Sequence, residues 1–414
     1  MIRAGLSMTS IFWSDDRRMA QGRLGALMCA EAPVVAVVFL YCAAAVVVQS
    51  LLGIEGQDAL FLYNRSFFMV VLACAIVFFL SHAVYAMAVV RPPRLARWIF
   101  EDLRSTYLTR ERLLPGFLLL AITTPFISSF TFFKTQIPSF NPFTWDETFA
   151  DWDRWLHGGV DPWELLQPVL GWPQATTAVN AVYHAWFFVL FAVVFWQAFS
   201  VADRRLRARF FLSFYLSWIL IGTLAATVFS SAGPVYYQRL SGEDGGFGAL
   251  FAYLQEASRS SPVWALEVQE RLWAGYEARS LGKGAGISAM PSMHVAMAVL
   301  FALLARAGTR WLYVPFALFA VAILIGSVHL GWHYAIDGYV AAVMVLAIWV
   351  VSGRLVARVD RASDRRAPVP SASTFISEDQ ELGAQKIYQQ AGDGTGGHGQ
   401  DRPGAEQVVA QDQN

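Results

Sequence analysis

Charge is scarce in this sequence. Only 15% of its 414 residues are Asp, Glu, Lys or Arg, against 56% hydrophobic and 14% aromatic. A soluble domain with one core has no use for so much apolar surface, so the bilayer is the expected solvent. The 31 basic and 31 acidic residues cancel, which removes any global attraction to nucleic acid or another polyanion. Cysteine is rarer still. Cys29, Cys42 and Cys74 crowd into the first fifth of the chain; they give neither a disulfide framework nor zinc-ligand spacing and read as small buried hydrophobes. Also missing are the polar/apolar alternation of an outer-membrane barrel and any evident internal repeat. The polar start, with Arg3, Arg17, Arg18 and Arg23, leads into an apolar run of full span length. That favours an uncleaved first span over a secretory signal.

What the chain does have is long hydrophobic runs. They fall at about 33–52, 66–90, 114–133, 176–200, 210–229, 292–306, 311–328 and 334–352. A span needs ~17–25 residues and must satisfy its backbone internally, so these runs predict an all-α integral membrane protein with about eight transmembrane helices. The connections alternate in charge: one set carries 21 Lys and Arg, the other eight. The positive-inside rule then puts both termini in the cytoplasm and the two long connections, 134–175 and 230–291, on the other face. The expected layout is a cytoplasmic N-terminus (1–32), two helices and a cytoplasmic loop (33–110), a catalytic membrane domain (111–353) and a disordered, polar cytoplasmic tail (354–414).

Those connections hold the polar residues of interest. Trp145 to Leu156 alternates acidic residues with Trp and Phe, the pattern of a helix lying in the membrane interface with its rings at headgroup level. Asp146, Asp151 and Asp153 are then polar anchors or, as the second reading, substrate contacts. Arg279, Lys283, Gly284 and Gly286 lie just ahead of an apolar segment opened by Ile287-Ser-Ala-Met-Pro-Ser-Met-His294. Glycines and cations before a helix start suit a phosphate. A second apolar segment opens with Ser327-Val-His-Leu-Gly-Trp-His-Tyr-Ala-Ile-Asp337.

His333 and Asp337 are four residues apart and share a helix face, while His294 comes from the other segment. Ionisable groups at spans are costly and therefore functional candidates. The trio fits phosphoryl transfer without metal or cofactor: Asp337 fixes the His333 tautomer, His333 attacks phosphorus, and His294 shuttles the proton. Arg279, Lys283 or Arg239 neutralises the non-bridging oxygens. Asn180, Tyr183 and His184, towards the outer end of the fourth span, either line a headgroup pocket or bond neighbouring helices. His329 stands near the site but off its motif positions; His82 and His157 read as structural.

At these residues the sequence resembles the type 2 phosphatidic acid phosphatase superfamily. Pro291, Ser292, Met293 and His294 match its Pro-Ser-x-His motif, and Ser327, His333 and Asp337 match Ser-Arg-x5-His-x3-Asp. The resemblance implies a six-helix core extended by two N-terminal helices, His333 as nucleophile, Asp337 as its partner, His294 as acid/base, and Ser292 and Ser327 beside the substrate. Val328 replaces the motif arginine, and no Lys-x6-Arg-Pro first motif is present. His333-Tyr-Ala-Ile-Asp337 and Ala232-Gly-Pro-Val-Tyr-Tyr237 are similar to segments of the inositol phosphorylceramide synthase (aureobasidin-resistance) branch. That branch implies a phosphotransferase of the plasma (inner) membrane that moves a headgroup from a phospholipid to a lipid alcohol on the non-cytoplasmic face. A lipid phosphate phosphatase is the alternative within the same chemistry, and a non-catalytic lipid-binding or transport protein the alternative outside it.

Overall fold

The computed structural model describes residues 31–54 and 60–366. In chain order its principal helices are α1 (Glu31–Leu51), α2 (Asn64–Val90), α3 (Leu95–Asp102), α4 (Arg110–Phe140), α5 (Asp146–Leu156), α6 (Pro162–Leu170), α7 (Pro173–Ala198) and α8 (Arg204–Val228). They continue with α9 (Pro234–Ser241), α10 (Gly248–Ser260), α11 (Trp264–Glu277), α12 (Met293–Ala307), α13 (Arg310–His329) and α14, which begins at Ala335. Among the described residues seven helices are long and apolar enough to cross a membrane: α1, α2, α4, α7, α8, α13 and α14. Apolar side chains such as Phe39, Phe68, Val77, Phe188 and Val343 stand exposed on them, as surfaces facing lipid do.

The expected sixth span is α12, and it is short, with 15 residues. Ser292 caps its start, the hydroxyl accepting from the Val295 N–H at 3.5 Å, and Gly308 follows its end. Most of its side chains, Val295 to Ala305, are buried by neighbouring helices. A helix enclosed by protein has no hydrocarbon thickness to match. The described residues through Val359 form one compact unit, so α1 and α2 belong to the same body as the later helices. The last helix runs on to Arg366; residues 354–366, expected to be disordered, continue the helix instead. The remainder of the expected tail, 367–414, lies outside the described residues, as does Cys29. Cys42 and Cys74 are free thiols.

Arginines tie the helix ends remote from the histidines. Arg207 on α8 bonds the Glu31 carboxylate at the start of α1 at 2.7 Å, with both side chains buried. Arg112 on α4 donates to the Phe199 carbonyl at 2.8 Å, and Arg209 on α8 to the Trp349 carbonyl of α14 at 3.0 Å. At the opposite end, three turns converge, those preceding α9, α12 and α14. The Val235 N–H donates to Gly331 O at 3.1 Å, Ala289 N–H to Ser231 O at 2.9 Å, and Ser292 N–H to Asp337 O at 3.1 Å. Gly233, with φ +88°, makes that convergence possible: a Cβ there would lie 2.6 Å from the Trp332 carbonyl oxygen.

The fastening of these turns comes from α5, and it revises the reading of that helix as an interfacial anchor. Asp146, Phe149, Ala150 and Asp153 recur at i, i+3, i+4 and i+7 and form its buried face. Asp146 accepts from the Ser231 hydroxyl (2.7 Å), the Ala232 and Gly233 N–H groups (3.0 and 2.8 Å) and the Tyr334 hydroxyl (3.1 Å). Asp153 accepts from the Ala335 and Ile336 N–H groups at 2.6 and 2.9 Å. It thus caps α14 from another helix, satisfying two donors that a helix start leaves free. Burial pushes both carboxyls above the usual carboxylate range, and the donors offset part of the rise. Asp151 only pairs with Arg154 at the surface, and Trp155 is the ring of this helix most exposed to its surroundings.

Candidate active site

The turn that precedes α14 delivers His333, and its first helical turn delivers Asp337. His333 Nδ1 lies 3.1 Å from Asp337 Oδ2, and the same oxygen accepts the Tyr334 N–H at 3.1 Å. The Ser327 carbonyl takes the Trp332 and His333 N–H groups at 2.9 and 3.2 Å, closing the loop between α13 and α14. With Nδ1 engaged by a carboxylate, Nε2 is the nitrogen left for chemistry.

His294 arrives from the first turn of α12. Its ring stacks on Tyr183 at a centroid distance of 4.7 Å and meets Trp186 at 4.2 Å, both from α7. The Trp186 indole N–H also donates to the His294 carbonyl at 3.0 Å. Aromatic packing, rather than a carboxylate, fixes this imidazole. The two histidine rings stand 6.4 Å apart, centroid to centroid, and line one cavity of about 440 Å³. That volume falls in the range of small-molecule sites. The rings are close enough to address one substrate atom group from two sides, because reacting atoms meet at roughly 3–3.5 Å.

Three cationic side chains line the cavity: Lys134, Arg271 and Lys283. Lys283 was expected there, and its ammonium donates to the Ser66 hydroxyl at 2.6 Å. Arg239 is not at the cavity; it pairs with Glu270 and lies over the Trp273 ring. Arg279 is exposed, with left-handed backbone (φ 47°), and is also absent from the lining. Tyr183 and His184 are lining residues, whereas Asn180 accepts the Ala265 N–H at 3.2 Å. Ser292 and Ser327 are buried away from the lining. The first caps α12 and the second donates to the Leu324 carbonyl at 2.7 Å. His329 is buried beside Thr176, 2.9 Å away, and Val328 is buried as well. His157 bonds the Tyr339 hydroxyl and His82 pairs with Asp102, both away from the cavity. Among the described residues no three His, Cys, Asp or Glu side chains cluster as metal ligands.

Lys134 escaped the sequence reading because the apolar run ends at 133, which put it in a connection. Helix α4 instead continues to Phe140 and sets Lys134, half-buried, in the cavity wall. Gly286, φ +89°, crosses directly over it: a Cβ on Gly286 would meet the Lys134 backbone carbon at 2.9 Å. A signal was present. Lys134, Asn141 and Pro142 reproduce the spacing of Lys-x6-Arg-Pro with asparagine in the arginine position. Asn141 ties α4 to α8, donating to the Thr227 and Val228 carbonyls at 2.9 and 3.1 Å.

Residues 147–351 match the model of the PAP2 superfamily. The matched stretch is similar to that superfamily over a little under half of the chain. The match takes in α5 from Glu147 onward, both histidine turns and Asp337, and it supports a chemistry of lipid phosphatase or phosphotransferase type. The matched segment leaves out Lys134 and the whole of α1 and α2. No curated protein and no solved structure matches the chain.

Proposed function

We propose that the protein is a membrane phosphotransferase that moves a phosphate-linked headgroup from a phospholipid to a lipid alcohol through a covalent adduct on His333. One observation carries the reading: His333, paired with Asp337 at 3.1 Å, shares a cavity with His294 and Lys134. His333 Nε2 attacks phosphorus, the N–P bond forms and the bond to the lipid oxygen breaks. His294 gives its proton to that oxygen. The acceptor hydroxyl then attacks phosphorus, its proton passes to His294, and the N–P bond breaks. Lys134 balances the charge that builds on the non-bridging oxygens, where the motif arginine is replaced by Val328. Asp337 holds the His333 tautomer and stabilises the positive imidazole. The excess of Lys and Arg at the opposite helix ends supports a site on the non-cytoplasmic face, with both termini inside.

With water in place of the alcohol the same steps make a lipid phosphatase. Purified protein incubated with labelled phosphatidylinositol, with and without ceramide or diacylglycerol, separates the two. Acceptor-dependent transfer of the labelled headgroup is expected. Acceptor-independent release of the headgroup phosphate alone refutes the transferase, and no turnover of any lipid phosphate refutes the enzyme.

A further inference from the structure

The cavity does not end at the histidines. Three helices each lend it a strip that changes character in the same direction. On α4 the strip runs from Lys134 back to Ile127, on α7 from His184 to Phe191, and on α2 from Tyr63, just before its first turn, to Val70. Each covers seven residue steps, roughly 10 Å at 1.5 Å per residue. Each begins polar, near the catalytic pair, and ends in hydrocarbon. A cavity of that form fits an amphiphile with its phosphate at the histidines and its tail along the strips.

The strip on α2 is the least explained by packing. Between Asn64 and Tyr85 only His82 is fully buried, and Phe67 and Val71 are half-buried against the core. Yet Tyr63, Ser66, Phe67 and Val70, at i, i+3, i+4 and i+7, all line the cavity, while Phe68 and Met69 between them are exposed. Polar bonds fasten the same end. The Tyr63 hydroxyl accepts the Gly284 N–H at 2.5 Å and lies 3.2 Å from Thr131 Oγ1, and Ser66 takes the Lys283 ammonium. The loop that closes over Lys134 is therefore tied to α2, a helix outside the matched segment 147–351.

From this we infer that α2 is the specificity wall of the site: Phe67 and Val70 select the hydrocarbon tail of the lipid phosphate whose phosphorus meets His333. The inference rests on the proposed phosphoryl chemistry. A long tail could be acyl or polyprenyl, and the two share the chemistry that the strip recognises.

The test uses full-length protein in nanodiscs and the ratio of kcat/KM for long-tailed over short-tailed substrate. One arm compares dioleoyl with dioctanoyl phosphatidylinositol, with ceramide as acceptor, the other a long with a short polyprenyl phosphate. Val70→Trp fills the floor and is expected to lower the ratio about tenfold, chiefly through KM, in the arm that matches the natural tail. Val70→Leu, a milder filling that guards against misfolding, is expected to lower it about twofold to threefold. A fall in one arm identifies the tail class. A ratio unchanged in both arms, in variants that still turn over the short substrates, overturns the inference and leaves the histidine chemistry standing. Failure of the wild-type protein to turn over any of the four overturns the underlying reading instead.

Discussion

Replacing Asp153 by alanine separates holding the site from performing its chemistry. The carboxylate does not line the histidine cavity; it accepts the Ala335 and Ile336 N–H groups at 2.6 and 2.9 Å and so fixes the start of the helix that carries Asp337. Loss of an N-cap costs about 1–2 kcal/mol. Here the two donors are buried, and an unsatisfied buried donor costs about 1–3 kcal/mol. Some of this is regained if water enters, so the net loss of stability is about 2–4 kcal/mol. The activity loss has a separate origin. His333 lies two residues before Ala335, and a displacement of about 1 Å at a reacting group costs about a hundredfold. Asp153→Ala is therefore expected to lower the thermal unfolding midpoint and to reduce kcat by about 10–100-fold, with KM little changed. Asp153→Asn, which keeps one acceptor oxygen, should fall between the two. The assay is turnover of a labelled lipid phosphate beside unfolding of the same preparation. Wild-type kcat and midpoint in Asp153→Ala would refute the claim that α5 fastens the nucleophile's helix.

Two further outcomes follow from single contacts. Lys134→Met keeps the volume of the side chain and removes the charge, and is expected to lower kcat/KM for phosphate lipids by about 10²–10³-fold, a loss of the scale seen when one charge-stabilising donor is removed; steady-state kinetics would show it, and a change under threefold would remove Lys134 from the site. Gly233→Ala sets a methyl 2.6 Å from the Trp332 carbonyl in left-handed backbone, so the turn before His333 must shift; a destabilisation of about 1–3 kcal/mol in denaturant titration, together with lost turnover, is expected.

Much of this was legible in the sequence because the bilayer imposes a strong rule. Apolar runs of span length can only be helices there, and the charge asymmetry of their connections suggested which ends meet. The pairing of His333 with Asp337 followed from four-residue spacing alone. The exceptions have physical causes. Lys134 is one charge one residue past an apolar run, and hydropathy cannot say that a helix continues through it. Asp146 and Asp153 were read by their aromatic neighbours, although with Phe149 and Ala150 they mark a buried helical face. Arg239 and Arg279 were chosen for nearness in sequence to the His294 helix, which says nothing about where a long connection folds back. Ser292 and Ser327 matched motif positions, yet their hydroxyls serve the backbone.

The central claim is a covalent phosphorus–nitrogen bond on His333. Wild-type protein mixed briefly with donor lipid labelled at phosphorus, quenched in denaturant and digested under alkaline conditions, should yield label that is stable to alkali and labile to acid, on the peptide containing His333. His333→Ala should carry none. Label on another residue, or steady turnover by His333→Ala, would contradict the account.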